Sequence, residues 1–264
     1  MKAYDFSYGE KKLSDYGFII CNFGDKGLDT VSDGCQITFN TVPVLGGSKH
    51  ELTSVQYEEC LETTIQICKH SCAAGVQEIT ETEHRQLTRW LNRKRFLKLK
   101  ILDKDHMDLY YEAYINVSKI EFNGMLIGLE LNVFTNAPHA FKDPKTINIK
   151  NLTLNGKHSF NDISHEEGFI YPYTEIVVNA SGNLKIHNAI ENRDTYIANC
   201  VAGEVITMDY PVIQSSVSSH KIENDFNWNF FRVANTYDNS RNDLTISLPC
   251  SIKATYSPIV KVGF

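Results

Sequence analysis

The chain has no unbroken apolar stretch approaching the ~18 residues that a membrane-spanning helix needs. Its opening, "MKAYDFSYGEKKLSDYG", carries an early lysine but no apolar run ahead of a small-residue cleavage site, so no secretory signal is expected. These absences give the expectation of a protein made in a cytoplasm, with no membrane partner. Positive charge is also in short supply. A net charge of -6 offers no bulk attraction to phosphate backbones, and dividing the chain near residue 140 leaves both parts acidic.

Catalytic signatures are missing too. There is no nucleophile elbow, no H-E-x-x-H and no dinucleotide fingerprint. "VLGGSKHE" (44–51) lacks the spacing of a phosphate-cradling loop. "DKDHMD" (103–108) gathers carboxylates, but a calcium loop starting at Asp103 would need glycine where Asp108 stands and a carboxylate where Tyr114 stands. The seven cysteines are odd in number and form no C-x-x-C pair, which points to reduced, structural thiols. Cys68, His70 and Cys72 would share a face if "CKHSC" were a strand, yet a structural zinc takes four ligands and no second pair follows. Neither cofactor nor metal is expected, and no enzymatic activity.

What is present is strand. The 264 residues, 42% hydrophobic and 11% aromatic, suffice for two ordinary cores. "TTIQIC" and "LKLKI" alternate with period two, the second placing Leu97, Leu99 and Ile101 on one face and Lys98 and Lys100 on the other. "LYYEAYINVSKIEF" and "MLIGLELNVF" flank Asn123-Gly124, a dipeptide suited to a primed hairpin turn. One helix is expected over 80–93, with Thr80 and Glu83 at capping-box spacing and Leu87, Trp90 and Leu91 as its apolar stripe. Beyond the two prolines of "TNAPHAFKDPKT", short runs recur about every ten residues: "KTINIKNLTL", "TEIVVNA", "NLKIHNA", "EVITMDY", "WNFFRVA", "DLTISL" and "CSIKATY". That spacing is the mark of an antiparallel sandwich, with "SGN" (181–183) as a tight turn. The fold class is therefore mainly β, an N-terminal β-rich domain with one α-helix (1–138) followed by an antiparallel β-sandwich (139–264).

The basic run from Arg85 to Lys100 holds seven cations and no acid. Arg85, Arg89 and Arg93 recur every fourth residue, a row along one helix face, while Lys98 and Lys100 share a strand face. Trp90 and Phe96 fit the apolar side. A nucleic-acid module would be basic as a domain and would interleave exposed aromatics, so no sequence-specific nucleic acid is expected.

Taken in order, "YDFSYGEKKLSDYGFII", the helix-then-strand "TRWLNRKRFLKLKILDKDHMDLYYEAYI", "NVFTNAPHAFKD" and the later "TEIVVNASGNLKIHNA", "VAGEVITMDY" and "SIKATYSP" resemble the distal tail protein family of long-tailed phages and prophages. The resemblance spans essentially the whole chain and is carried by order and spacing. It implies a structural homo-oligomer, a hexameric ring built through the N-terminal domain, with a galectin-like C-terminal sandwich outside it. Implied partners are the major tail tube protein, the tail-associated hub or tail-fibre protein, and receptor-binding proteins. The implied location is the virion tail tip. In a ring, the segment 40–54 with Gly46, Gly47 and Lys49 would meet a neighbour, as would Arg93, Arg95, Lys98 and Lys100. A protein contact or solvated face is expected for the lysines over a DNA contact. Two other readings compete: a carbohydrate-binding module using Trp228, Phe230 or Phe231, residues more simply taken as strand core, and a wall hydrolase using Asp103 and Asp105, which lack the burial that acid/base work requires.

Overall fold

The computed structural model describes residues 3, 5–23, 36–69, 77–103 and 107–262. The chain divides into two compact units, Met1–Phe141 with Lys261–Phe264, and Lys142–Val260.

The first unit is built on an antiparallel sheet. Its strands are β1 (Phe6–Tyr8), β2 (Lys11–Lys12), β3 (Phe18–Cys21), a separate pair β4 (Ile37–Pro43) and β5 (His50–Tyr57), then β6 (Glu62–Lys69), β7 (Leu97–Ile101), β8 (Leu109–Phe122) and β9 (Met125–Thr135). The main path runs β2-β1-β7-β8-β9-β6-β3, and a short β10 (Ala140–Lys142) pairs with β8. Strand alternation decides the core: Leu99 and Ile101 of β7, Ile65 and Ile67 of β6, and Leu129, Leu131 and Val133 of β9 are all buried. The β8–β9 hairpin closes through Asn123 (φ 49) and Gly124 (φ 79), with Phe122 opposite Met125, as a two-residue primed turn requires.

The helix α1 (Glu81–Leu91) begins with the expected capping box. The Glu83 amide donates to Thr80 Oγ1, and the Thr80 amide donates to the Glu83 carboxylate at 2.8 Å. Leu87, Trp90 and Leu91 are its buried face. The helix ends at Leu91, two residues before the expected end, with Asn92 as its cap, so Arg93 does not continue the row of Arg85 and Arg89 along a helix.

The second unit has two facing sheets. The larger, in the order β11-β21-β14-β17-β18, joins β11 (Lys145–Asn151), β21 (Cys250–Tyr256), β14 (Tyr173–Val178), β17 (Val205–Asp209) and β18 (Val212–Ser215). The smaller, β12-β20-β15-β16, joins β12 (Gly156–Asn161), β20 (Arg241–Ile246), β15 (Gly182–Asn188) and β16 (Arg193–Cys200). One apolar cluster draws on both, with Ile149, Ile176, Ile206 and Ile252 from the first and Leu184, Ile186, Ile197 and Leu244 from the second. That is the sandwich arrangement, two antiparallel layers sharing one core. A small pair, β13 (Gly168–Ile170) with β19 (Val233–Asn235), a one-turn α2 (Ile222–Asp225) and the terminal β22 (Ile259–Val260) complete it.

Two expectations change here. "SGN" does fall at the short link between β14 and β15, but Gly182 already begins β15 and the two strands lie in different layers. "WNFFRVA" is strand only from Val233; Trp228 sits at φ 58, a left-handed conformation that no strand continues.

Candidate functional site

The β4–β5 ribbon is the first unit's least self-sufficient element. Among the described residues its strands pair only with each other, from Ile37 opposite Tyr57 to Pro43 opposite His50, with an irregularity after Asn40. At the tip the Val44 amide donates to the Lys49 carbonyl at 3.1 Å and the Gly47 amide to the Val44 carbonyl at 3.0 Å, while Gly46 takes φ 75, where a side chain would be strained. Both faces are open to water. Phe39 is 62% exposed, Leu52 is 54% exposed and Leu45 at the tip is fully exposed; Ile37, Val42 and Val55 are exposed as well. An isolated two-stranded ribbon is marginal in water, and exposed apolar surface of this kind marks a contact surface.

Gly46, Gly47 and Lys49 are thus brought together at that tip. Arg93 and Arg95 lie in the turn between α1 and β7, and Lys98 and Lys100 on β7 itself, so the basic residues form a second, separate group in the chain's element order. Arg93 and Lys98 are engaged locally. Arg93 Nε donates to the Trp90 carbonyl at 3.2 Å, and the Lys98 ammonium lies 3.8 Å from the centre of the Tyr110 ring, a cation–π distance. Lys98 faces Glu112 across the β7–β8 pairing. Phe96 departs from its expected place on the apolar side: it is 45% exposed, edge-on to Tyr114.

The most deeply buried charged cluster is in the second unit. His220 Nδ1 lies 2.6 Å from Glu204 Oε1 and its Nε2 lies 3.2 Å from Asp225, the second an ion-pair approach without the aim of a hydrogen bond. Burial pushes the Glu204 carboxyl up, but hydrogen bonds from Ser215, the Val201 amide and His220 together outweigh it and hold the carboxyl below its ordinary range. Serine, histidine and glutamate meet here in the wrong order for nucleophilic catalysis. The Ser215 hydroxyl donates to Glu204, not to His220, and Glu204 is inaccessible. The cluster ties the α2 segment to β17 and β18.

Other residues weighed from the sequence resolve unevenly. Asp103 is half-buried, while Asp105, His70 and Cys72 lie outside the described residues. Among the described residues no group of three or more His, Cys, Asp or Glu side chains is placed to hold a metal. Phe230 and Phe231 are buried, and Trp228 is 57% exposed, so only Trp228 of the three could meet a ligand. Sequence reasoning set the segment 40–54 against a neighbour through Gly46, Gly47 and Lys49 but singled out none of its apolar residues, and it passed over Tyr210 and Phe169, whose exposure depends on tertiary placement.

The chain is mostly β and folds as two units, and comparison with known families gives its kind. Residues 1–137 match the family described as the phage tail protein N-terminal domain and residues 139–256 the one described as the phage tail C-terminal domain. The chain belongs to this family of phage tail proteins. Among solved structures it is similar to the SPP1 Dit (gp 19.1) protein, titled a paradigm of hub adsorption apparatus in Gram-positive infecting phages. The TM-score is 0.64 and the identity 12%, over 97% of this chain and 99% of that one. The fold is therefore Dit-like. No curated protein matches the sequence significantly.

Proposed function

We propose that this chain is a structural protein of the distal end of a phage tail. In this reading it assembles as a hexameric ring through its N-terminal unit and joins the major tail tube protein to the tail-associated hub or tail-fibre protein, with receptor-binding proteins attached further out. The role is architectural and not catalytic. The observation that carries the reading is the β4–β5 ribbon, an unsupported hairpin with apolar side chains on its surface, joined to a unit of the phage tail family. A neighbouring copy would bury those side chains and give the ribbon the packing it lacks. Such a contact is heterologous, hairpin against a different surface, and closes into a ring when the rotation closes.

Within the ring, the tip residues Gly46, Gly47 and Lys49 are contact residues. Arg93, Arg95, Lys98 and Lys100 form a second surface, for protein or solvent and not for DNA, in keeping with the engagement of Lys98 by Tyr110. Negative-stain microscopy and native mass spectrometry of the purified protein test this. Six-membered rings, lost when Phe39 and Leu45 are changed to serine, are expected. A strictly monomeric particle at high concentration that binds no tube or hub protein contradicts the reading.

A further inference from the structure

The second unit carries aromatic side chains that its core does not use. Phe226 and Phe230 are buried and seat two rings that are not. Trp228 lies 6.4 Å from Phe230 and 5.8 Å from Phe226, and Tyr210, 56% exposed, meets Phe230 edge-on at 5.3 Å. One face of Tyr210 is stacked on Tyr171 at 4.2 Å and 8°, so its other face is the one turned to water. Phe169, 52% exposed, extends the row beyond Tyr171 at 5.5 Å, and the Arg232 guanidinium covers it at 3.7 Å.

The backbone adds a second observation. Trp228 has φ 58, a left-handed conformation that is strained for a bulky side chain. The turn is braced by the Asn229 amide donating to Asn227 Oδ1 at 3.1 Å and by the buried Phe226 and Phe230 on either side, and it holds the exposed indole in a fixed place. Fixed polar groups lie alongside. Arg193 donates to the Phe230 carbonyl at 2.6 Å and to Asn229 Oδ1 at 3.3 Å, Asn227 is exposed beside Trp228, and Arg232 is paired with Glu191.

We propose that Trp228 and Tyr210 form a saccharide-binding shelf. A pyranose ring has an apolar C–H face that lies flat on an aromatic ring, attracted to its negative π surface, and an edge of hydroxyls that needs planar amide, guanidinium and carboxylate partners. Around Phe230 the aromatic faces of Trp228 and Tyr210 and the guanidinium of Arg193 supply both. The exposed surface of the β4–β5 ribbon is mainly aliphatic and suits a protein chain; the shelf is aromatic and edged with polar groups. Two exposed rings leaning on Phe230 offer two stacking faces. This site rests on the tail-tip reading for its biological meaning, since a protein there faces a host surface rich in glycans.

The two tryptophans make the test direct, because Trp90 is buried in the other unit and Trp228 reports alone on the shelf. The purified protein is titrated with neutral glucan, N-acetylhexosamine and uronate oligosaccharides. A saturable change in Trp228 emission with at least one class is expected, with calorimetry showing about tenfold weaker binding in Tyr210→Ala. Trp228→Gly removes the ring and relieves the strain; it keeps or raises stability while abolishing binding. Three results overturn the proposal: no response to any class, unchanged affinity in Trp228→Gly, or a response elicited only by another tail protein. Ring formation is scored on the same samples, so that sugar binding without rings rejects the tail reading and rings without sugar binding reject the shelf.

Discussion

Trp90 is bound to Tyr8 by the backbone and to Phe6 by the ring: its Nε1–H donates to the Tyr8 carbonyl at 3.0 Å while the indole lies nearly parallel to Phe6, 5.9 Å away. Tyr16 stacks on the indole as well, at 4.7 Å. The helix is thereby fastened to β1 through one side chain that satisfies both its apolar and its polar surface. Trp90→Ala is expected to cost about 3–5 kcal/mol of the first unit's stability, as buried aromatic truncations do. Trp90→Phe keeps much of the packing and should cost less. Denaturant unfolding followed by circular dichroism checks both; a first-unit transition unmoved by Trp90→Ala contradicts the docking role.

The β8–β9 hairpin offers a paired test of two glycines. Gly124 stands at φ 79 with open space around it, so alanine there meets only backbone strain, about 1–2 kcal/mol. Gly128 has an ordinary φ but no room: an added Cβ would lie 2.5 Å or less from two carbons of the Phe23 ring and 2.9 Å from the Ile67 carbonyl. Gly128→Ala should therefore be the more damaging change and should displace Phe23, measurable as a larger fall in melting temperature.

Much of this was legible in the sequence, where one period decided the matter. The capping box at Thr80 and Glu83, the Asn123-Gly124 turn, the faces of β7 and the mainly β class all follow from local chemistry that tertiary contacts reinforce. The failures share another cause. β12 and β16 were not singled out because their sequences, "GKHSFN" and "RDTYIANC", are rich in polar residues: His158 of β12 donates from Nε2 to Asn151 Oδ1 at 3.1 Å, and Thr195 of β16 is buried. "WNFFRVA" carries two core phenylalanines on irregular backbone, and nothing local announces the left-handed Trp228. Nor could alternation alone disclose that Phe39, Val42, Leu52 and Val55 of the β4–β5 ribbon are all exposed.

The cluster around Glu204 predicts an acid limit for the second unit. A carboxyl held below its ordinary value contributes stability above the unfolded-state pKa, and loses it as pH falls through the folded value. The loss should therefore begin near the model-peptide range of about 4.3 and continue below it. Glu204→Gln should weaken the unit at neutral pH by about 3 kcal/mol or more, as breaking a buried pair does, and should flatten the acid dependence. Hydrogen exchange over 204–226 at pH 7 and acid titration of the whole chain are the measurements; an unchanged acid limb in the variant contradicts the assignment.

Thiol chemistry separates the cysteines. Burial pushes Cys200 up to about 11 and Cys250 up to about 12, whereas Cys60 is exposed. Since the thiolate is the nucleophile, iodoacetamide at pH 8 should label Cys60 quickly and leave Cys200 and Cys250 unmodified until denaturant opens the second unit. Peptide mapping by mass spectrometry reads this out, and fast labelling of Cys250 in the native protein would show that the sandwich core is open.

The central claim, a place at the distal end of a phage tail, is tested most directly by immunogold electron microscopy of tailed particles from producing cells, with antibody raised against the purified protein. The account predicts gold at the tail tip, away from the head. Label along the length of the tube, at the head-proximal end, or absent from intact particles would contradict it.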